Sequence, residues 1–136
     1  MENKTSHTDQ QWQALAAHEP DGPVYMVNLL KFRARAAYSD GRDADLSGYA
    51  AYQRYAEPMA ALIEASGGSV VHSSVVTGLV VGAVAELWDV VAIVQYPSRR
   101  EFIALIETEQ VQALQVHRLA GLEGQLNIVT EDPTPA

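Results

Sequence analysis

Two segments of the chain are apolar on both of their alternating faces, and this pattern limits the possible folds more than any other feature. The first runs from Val24 to Phe32 and the second from Trp88 to Tyr96, and both are rich in β-branched and aromatic residues. A strand that is covered on one side only alternates between apolar and polar side chains. The two segments are therefore predicted to be central strands that are buried on both faces.

The other predicted elements follow from helical spacing, caps and turn residues. Thr8 has the position of a capping-box residue for a short leading helix, and Ser47 is the predicted N-cap of a long amphipathic helix that ends at Gly67. Pro58 lies inside the long helix, so we expect a kink or a break there. The remaining elements are a strand over 69–77, a helix from Ser98 through Ile106, a second helix from Thr108 or Glu109, and a strand over 125–130.

Without the leading helix, the order of elements is strand, helix, strand, strand, helix, strand. This is the ferredoxin-like βαββαβ arrangement of the α+β class, a four-stranded antiparallel sheet with both helices on one face. The other face also needs a cover, because both central strands are apolar there. An identical sheet from a second copy would supply it in a two-fold dimer, whereas a leading helix with Trp12 and Leu15 as its main apolar residues is too small.

The chain length allows one domain with one hydrophobic core. We assign residues 1–22 to an N-terminal extension with a short helix, 23–130 to the ferredoxin-like domain and 131–136 to a disordered tail. The polar connection from Arg33 to Leu46 is predicted to be a mobile flap, because connections of this length are commonly functional or disordered.

The composition excludes several classes of partner. The chain carries 17 Asp and Glu against 9 Lys and Arg, a formal net charge of −8, which disfavours nucleic-acid binding. It has no cysteine, no apolar stretch of the roughly 20 residues that a membrane helix needs, and no secretory leader in its first residues. We therefore expect a cytoplasmic protein without nucleic-acid or membrane partners.

The sequence contains no motif for a dinucleotide, a phosphate loop, a serine nucleophile or a zinc site. The four histidines are scattered over positions 7, 18, 72 and 117, so a centre with several histidine ligands would need a coincidence of the fold. We expect neither a bound metal nor a bound cofactor.

Polar residues in the first strand are candidates for a site. Asn28 interrupts the strand, and its carboxamide is either satisfied by the protein or presented to a ligand. Lys31 ends the strand and forms the one dense basic cluster of the sequence with Arg33 and Arg35. This cluster is either a solvated strand end or a site for an anion.

Five further residues combine polar chemistry with apolar surroundings. Tyr49 and Tyr52 face inward on the long helix, where they either pack in the core or offer their hydroxyls to a ligand. His72 lies in the second strand, and an imidazole is a common proton acceptor in enzyme sites, while Trp88 opens the third strand beside a carboxylate. Arg118 lies on an apolar helical stripe, where its charge is costly unless a protein or substrate carboxylate pairs with it.

Several of these residues recur together in a bacterial pattern that spans about residues 24 to 129. The chain resembles domain-of-unknown-function family thirteen-thirty in Asn28-Leu29-Leu30-Lys31-Phe32, Tyr49-x-x-Tyr52, Gly67-Gly68, Trp88-Asp89, Gln95-Tyr96-Pro97-Ser98-Arg99, Phe102 and Arg118. The positions that match recurring family residues are Asn28, Lys31, Tyr49, Tyr52 and Arg118. Two features depart from the family: the helix before Pro20, and Glu107-Thr108-Glu109-Gln110, where many members have Ser-Pro-x-Tyr.

The resemblance implies that the fold is that of a dimeric α/β barrel. Relatives in that superfamily include cofactor-free monooxygenases, small isomerases, decarboxylase-like enzymes, haem-degrading enzymes, dye-decolourising peroxidases and non-enzymatic regulators. The fold alone therefore selects no reaction.

The sequence thus favours a homodimer whose pocket takes a small anionic or aromatic metabolite without a cofactor. In this hypothesis Arg118, with Lys31, orients an anionic group, while His72 accepts a proton and Asn28 donates to a developing oxyanion. The remaining contacts with the ligand would come from Tyr49, Tyr52 and Trp88. The reaction would be an isomerisation, a cyclisation or a cofactor-free oxygenation. A ligand-sensing or regulatory module without catalysis and a structural dimerisation unit without a pocket are the alternatives.

Overall fold

The computed structural model describes residues 4–18 and 22–133 of the chain. Its elements in chain order are α1 (Asp9–Ala17), β1 (Val24–Phe32), α2 (Gly48–Ala65), β2 (Ser69–Val75), β3 (Val90–Tyr96), α3 (Arg99–Ile106), α4 (Glu109–Gly121) and β4 (Leu122–Thr130). With α1 set aside and α3 and α4 taken as one helical connection, this is the predicted βαββαβ order.

The four strands form one antiparallel sheet in the order β2-β3-β1-β4. The two strands with two apolar faces, β1 and β3, lie at its centre, as predicted. Met26 is opposite Val94 on one side and Val129 on the other, so these three residues share a face. We call this the helix-side face, and the face that carries Tyr25 and Val27 the open face.

The core lies between the helix-side face and the helices. Met26 and Val94 of the sheet pack with Met59 and Ile63 of α2 and with Phe102 of α3, and all five are buried. The short helix α1 packs Trp12 and Leu15 against the edge of this core. Within residues 4–18 and 22–133 no helix packs on the open face.

The helix caps agree with the sequence. The side chains of Thr8, Ser47, Ser98 and Thr108 each accept a hydrogen bond from the backbone N–H three residues further on. Helix α2 continues through Pro58 without the predicted break. The chain leaves α2 through Gly67, whose φ of 91° is the left-handed conformation that glycine adopts without strain.

Element ends differ from the expectations in three places. β3 begins at Val90 rather than Trp88, β2 stops at Val75, and β4 already begins at Leu122, directly after α4. In the predicted tail, Glu131 pairs with the Arg99 guanidinium at 3.1 Å. Positions 20 and 21, which were predicted to stop the first helix, and 134–136 of the tail lie outside the described residues.

The loop from 33 to 46 is packed against the domain, which corrects the prediction of a mobile flap. The amide of Ala36 donates to the carbonyl of Leu46 at 2.8 Å, and that of Ala37 donates to the carbonyl of Ala120 at 2.9 Å. Tyr38 is 6% exposed. Tyr38 packs with Ala36, Ala51 and Ala120, and this cluster anchors a loop whose other side chains are mostly exposed.

Among the described residues, no helix has both the length and the hydropathy of a membrane-spanning segment.

Candidate functional site

An open cleft of about 1640 Å³ lies along the helix-side face of the sheet. Met26 and Asn28 of β1, Tyr52 of α2 and Arg118 of α4 line it, together with the N-terminal segment 4–8. Because sites for small molecules typically enclose about 300–1,000 Å³, a small ligand would fill only part of this cleft.

The charge of the lining is opposite to that of the protein. None of the described residues that line the cleft is Asp or Glu, although the chain has 17 of them. The cationic side chains in the lining are those of Lys4, Arg99 and Arg118. The cleft is therefore a basic, largely apolar region of an acidic protein.

A chain of hydrogen bonds crosses the cleft from α4 to the sheet. The Arg118 guanidinium donates to the side-chain oxygens of Gln115, at 3.1 Å, and of Gln125. Gln125 Nε2 donates to Asn28 Oδ1 at 2.8 Å, and Asn28 Nδ2 lies 3.3 Å from the carbonyl oxygens of Met26 and Ala92. Asn28 is thus satisfied by the protein, and it fixes the orientation of the Gln125 amide.

Arg118 has only neutral acceptors within the described part of the chain. The third is the carbonyl oxygen of Thr5 in the N-terminal segment. By contrast, Arg99, at the other end of the cleft, contacts the carboxylate of Glu131. A partly buried guanidinium without a counter-anion is costly, because neutral acceptors do not offset its charge.

The N-terminal segment closes one side of the cleft. Lys4 forms an antiparallel bridge with Gln125, whose amide donates to the Lys4 carbonyl at 2.7 Å. His7 stacks on Trp12 with 4.5 Å between ring centroids. The Thr5 carbonyl therefore reaches Arg118 from a segment that the Lys4–Gln125 bridge and the His7–Trp12 stack hold in place.

Three tyrosines bring hydroxyls into the cleft. Tyr52 and Tyr55 lie one turn apart on α2 with their ring centroids 5.4 Å apart, and Tyr96 ends β3. None of the three hydroxyls has a hydrogen-bond partner within residues 4–18 and 22–133. Every fully buried side-chain oxygen in these residues has such a partner, so the three hydroxyl oxygens are not fully buried. The three hydroxyls therefore open onto the cleft.

Burial raises the pKa of all three phenols above the ordinary value. For Tyr52 the neighbouring Tyr55 adds to the rise in pKa, and the positive charge of Arg118 opposes it. Arg118 also opposes the burial-driven rise in the pKa of Tyr55, while the pKa of Tyr96 rises further because of Tyr55 and Tyr52. The hydroxyls consequently remain protonated at neutral pH and are available as hydrogen-bond donors.

A close contact between α2 and α4 brings the tyrosines to Arg118. A Cβ atom at Gly121 would lie 2.4 Å from the carbonyl oxygen of Gly48 and 2.7 Å from the amide nitrogen of Tyr52. The two helix backbones can approach this closely only because residue 121 has no Cβ atom.

Of the residues singled out from the sequence, four line the cleft and three do not. The structure brings together Asn28, Tyr49, Tyr52 and Arg118. Tyr49 is at the rim, 53% exposed, with its ring 5.3 Å from that of Phe32. His72, Lys31 and Trp88 are not among the residues of the lining.

His72 lies on the open face of the sheet. Val70 pairs with Val94 on the helix-side face, but the register shifts at the next residue and His72 pairs with Ile93 on the open face. A bulge of one residue turns every later side chain of the strand over. His72 is exposed, its Nε2 lies 3.1 Å from Ser74 Oγ, and the sheet separates it from Arg118.

Lys31 and Trp88 also lie away from the cleft lining. Lys31 alternates onto the open face, where its ammonium is 3.5 Å from the Asp89 carboxylate and donates to the carbonyl of Leu87 at 3.1 Å. Asp89 also accepts from the amide of Phe32 at 2.8 Å. These contacts hold the β2–β3 connection to the end of β1, so the proposed pairing of Lys31 with Arg118 on an anion does not fit this geometry.

The sequence reasoning did not single out Tyr55, Tyr96 and Gln125. Tyr55 lies three residues after Tyr52, a spacing that puts both on one helix face, and Tyr96 shares the alternation of Val94. These two could have been found from periodicity. No pattern in the sequence marks Gln125.

A second polar cluster lies outside the cleft, where the loop 33–46 meets α2 and α4. The hydroxyl of Tyr38 is 2.7 Å from His117 Nδ1 and accepts a hydrogen bond from Arg54 at 3.2 Å. Arg54 also donates to Asp43 at 2.8 Å, and Arg42 lies 4.6 Å from the centroid of the Tyr38 ring. We call these residues the loop-anchor cluster.

Residues of the loop-anchor cluster shift the pKa values of Asp43 and His117. The hydrogen bond from Arg54 lowers the pKa of Asp43. Burial lowers the pKa of His117, and the charges of Arg42 and Arg54 lower it further. His117 is therefore neutral at neutral pH and can accept the hydrogen bond from Tyr38.

Residues 4–18 and 22–133 contain no group of three or more His, Cys, Asp or Glu placed to hold a metal ion.

The sequence matches no protein-family model, and no curated protein matches it. Two solved structures of one protein are similar over the whole chain. The crystal structure of the methylated RPA0582 protein is 31% identical, covers 99% of this chain and 98% of that chain, and has a TM-score of 0.90. A crystal structure of RPA0582, a protein of unknown function from Rhodopseudomonas palustris, is 29% identical over 98% and 100% of the two chains, with a TM-score of 0.88.

A more distant likeness is to a dimeric protein of unknown function with a ferredoxin-like fold from Bacteroides fragilis. It is 12% identical, covers 81% of this chain and 96% of that chain, and has a TM-score of 0.49.

Proposed function

The chain belongs to the same family as the RPA0582 protein of Rhodopseudomonas palustris, and we propose that it binds a small carboxylate with an apolar or aromatic body in its cleft. The observation that carries this proposal is the charge of Arg118, which no carboxylate offsets among the described residues. Arg118 binds the anionic group of the ligand, and the apolar lining takes the rest of the molecule.

The choice of a carboxylate follows from the chemistry of the site. A guanidinium binds a carboxylate through two parallel hydrogen bonds, and these are stronger than its bonds to neutral acceptors. The side-chain oxygens of Gln115 and Gln125 and the carbonyl of Thr5 now accept from it, and all three groups are neutral. A ligand carboxylate replaces the Thr5 carbonyl, because β4 is paired with β1 along its length, whereas the N-terminal segment joins the sheet through the bridge between Lys4 and Gln125.

The geometry favours binding without catalysis, the regulatory alternative considered for this sequence. His72, the expected proton acceptor, lies across the sheet from Arg118, and Asn28 is occupied by Gln125. The positive charge of Arg118 acts on the phenols of Tyr52 and Tyr55, whose pKa values burial raises, so both are protonated near neutral pH and cannot serve as proton acceptors.

The experiment is a calorimetric titration with benzoate and with benzamide, which have the same shape and differ in charge. Wild-type protein should bind benzoate at least about tenfold more tightly, the range expected of a charge-assisted pair. Arg118→Gln should lose this preference. Its free energy of unfolding should stay within about 1 kcal/mol of wild type, because the substitution also removes the cost of an unpaired charge.

The matched control is Arg33→Gln, which removes the same charge from an exposed side chain outside the cleft lining. It should bind benzoate as wild type does. Equal affinities for benzoate and benzamide, or an Arg118→Gln protein that loses its fold and not only its binding, would contradict the proposal and make Arg118 a structural residue.

We also propose that the open face is covered by a second copy of the chain in a two-fold dimer. Val27, Ile93 and Ile128 form one apolar row across three strands of this face, and Ile128 is 44% exposed. An uncovered apolar sheet face of this kind is a recognised surface for association between identical chains.

Sedimentation velocity tests this dimer. Wild-type protein should sediment as a dimer, and Ile128→Glu should shift it to a monomer without unfolding, because the side chain is already partly exposed in one chain. The control is Val116→Glu on α4, which is 38% exposed and lies outside this face. A monomeric wild type, or equal behaviour of the two variants, would contradict the dimer.

We also propose that the chain is a member of domain-of-unknown-function family thirteen-thirty, which it resembles, and that it acts in the cytoplasm. Of the five positions that match recurring family residues, Asn28, Tyr49, Tyr52 and Arg118 line the cleft.

A further inference from the structure

The three cleft tyrosines are not needed for the fold in the way that buried tyrosines usually are. A buried hydroxyl normally has a hydrogen-bond partner, because leaving it without one costs free energy. Tyr96 is 3% exposed, yet neither its hydroxyl nor those of Tyr52 and Tyr55 is bonded to a group in the described part of the protein. Because the three hydroxyls open onto the cleft, phenylalanine would fill the same space with no hydrogen bond lost inside the described part of the protein.

The three hydroxyls also act on one another. All three tyrosines line the same cleft as Arg118, and the ring centroids of Tyr52 and Tyr55 are 5.4 Å apart. Tyr55 and Tyr52 raise the pKa of Tyr96, whereas the positive charge of Arg118 opposes the burial-driven rise in the pKa of Tyr52 and of Tyr55. Neutral phenols in such a group can each donate one hydrogen bond.

We propose that Tyr52, Tyr55 and Tyr96 form a hydrogen-bond-donor subsite for a carbonyl oxygen of the ligand, whose carboxylate lies on Arg118. The ligand class is therefore an oxo-substituted carboxylic acid, with an apolar or aromatic body between its two oxygen functions. This inference rests on the proposed carboxylate site, and it adds the group that distinguishes one carboxylate from another.

The donors suit a carbonyl better than a second anion. The lining around the tyrosines includes Met26, Met59 and Phe102, and a carbonyl loses less hydration than a charged group on entering such a region. A ligand hydrocarbon at the same place would leave the three hydroxyls without an acceptor, and discrimination against it should follow from that loss.

The test compares two probes of nearly equal shape, 4-acetylbenzoate and 4-isopropylbenzoate, and the corresponding 3-substituted pair, which samples a shorter separation of the two groups. Calorimetry on the full chain should show that the acetyl compound of at least one pair binds about tenfold more tightly than its isopropyl partner. Tyr52→Phe, Tyr55→Phe and Tyr96→Phe should each be measured, and the triple variant should lose the preference while still binding benzoate.

Tyr38→Phe is the matched control, because it removes a phenol that lies outside the cleft, and it should keep the full preference. Arg118→Gln should weaken both members of a pair by the same factor. Wild-type protein that binds both members of both pairs equally would overturn the donor subsite and leave the carboxylate site intact. Failure of benzoate and of all four probes to bind would overturn both.

Discussion

Arg54 and Arg118 project from the two long helices that pack on each other, and their surroundings are opposite in kind. Arg54 has the carboxylate of Asp43 and the hydroxyl of Tyr38 as partners. Arg118 has two amide oxygens and a backbone carbonyl. The tyrosines of the two regions differ in the same way. The Tyr38 hydroxyl has hydrogen bonds to two protein groups, whereas the Tyr52 hydroxyl has none among the described residues.

This difference separates a cluster that holds the fold from one that awaits a ligand. In the loop-anchor cluster Arg54 meets the carboxylate of Asp43, and the Tyr38 hydroxyl meets both Arg54 and His117, so a further molecule adds little. In the cleft no described carboxylate meets the guanidinium of Arg118 and no described acceptor meets the three phenols, so a ligand can supply both. Such arrangements persist where binding rather than stability is selected.

The substitution with the largest expected effect on stability lies at the contact between α2 and α4, the two helices that carry residues of both the cleft and the loop-anchor cluster. Gly121→Ala places a Cβ within 2.4 Å of a backbone oxygen of Gly48 and must push α2 and α4 apart. We expect a loss of about 3 kcal/mol, the upper end of the range for overpacking, because backbone atoms cannot rotate away. Urea denaturation measures it, and benzoate binding should weaken as well.

Gly78→Ala is the control, since nothing lies within 4 Å of a Cβ at that position. It should change the free energy of unfolding by less than about 0.5 kcal/mol. A Gly121→Ala protein as stable as the wild type would show that the helices have room to separate.

A second substitution gives Arg118 a carboxylate partner, which Arg54 already has in Asp43. Gln125→Glu supplies a carboxylate at the acceptor that contacts Arg118, so a ligand carboxylate must then compete with it. Benzoate affinity should fall at least about tenfold. The free energy of unfolding should change by less than about 2 kcal/mol, because the new ion pair offsets part of the cost of losing the hydrogen bond from Gln125 to Asn28. Gln110→Glu, on α4 outside the cleft lining, makes the same change of charge and should leave the affinity unaltered.

Removal of single hydroxyls compares the two regions directly. Tyr38→Phe breaks hydrogen bonds to His117 and Arg54 and should cost about 1–2 kcal/mol of unfolding free energy. Tyr52→Phe removes a hydroxyl without a protein partner and should cost less than about 0.5 kcal/mol. The reverse order in thermal or urea unfolding would mean that the cleft tyrosines support the fold.

The smallest expected effect concerns pH. The pKa of His117 is lower in the folded protein than the ordinary 6.5, so the unfolded chain binds a proton more readily. The contribution of neutral His117 to stability is therefore complete above about pH 6.5 and is lost as the pH falls through the folded pKa. Urea unfolding at pH 8 and pH 5.5 should show a steeper decline for wild type than for His117→Gln. Parallel declines would leave the loop-anchor cluster without a role in the pH dependence.

The sequence predicts the fold well because local patterns determine most of it. The segments that are apolar on both faces identify the central strands. Ser47, Ser98 and Thr108 mark the starts of helices, because each hydroxyl accepts a hydrogen bond from the backbone N–H three residues further on. Arg118 was expected in the site because a charge on an apolar stripe is unusual at this spacing.

The site was predicted less well because its membership depends on register. One bulge after Val70 moves His72 to the other face of the sheet, and no residue type at that point announces it. The packing of the loop 33–46 through Tyr38 is also invisible in a sequence, since the partners lie on α2 and α4. Gln125 became part of the site only through pairing of β4 with β1.

The bridge between Lys4 and Gln125 has a practical consequence for anyone who prepares this protein. Because the carbonyl of Thr5 contacts Arg118, a purification tag fused at the amino end would begin only a few residues from the cleft. A polyhistidine or acidic tag there could compete with the added probes or tether the segment differently. Material for binding measurements should therefore carry its tag at the carboxyl end, and the amino end should keep its own sequence.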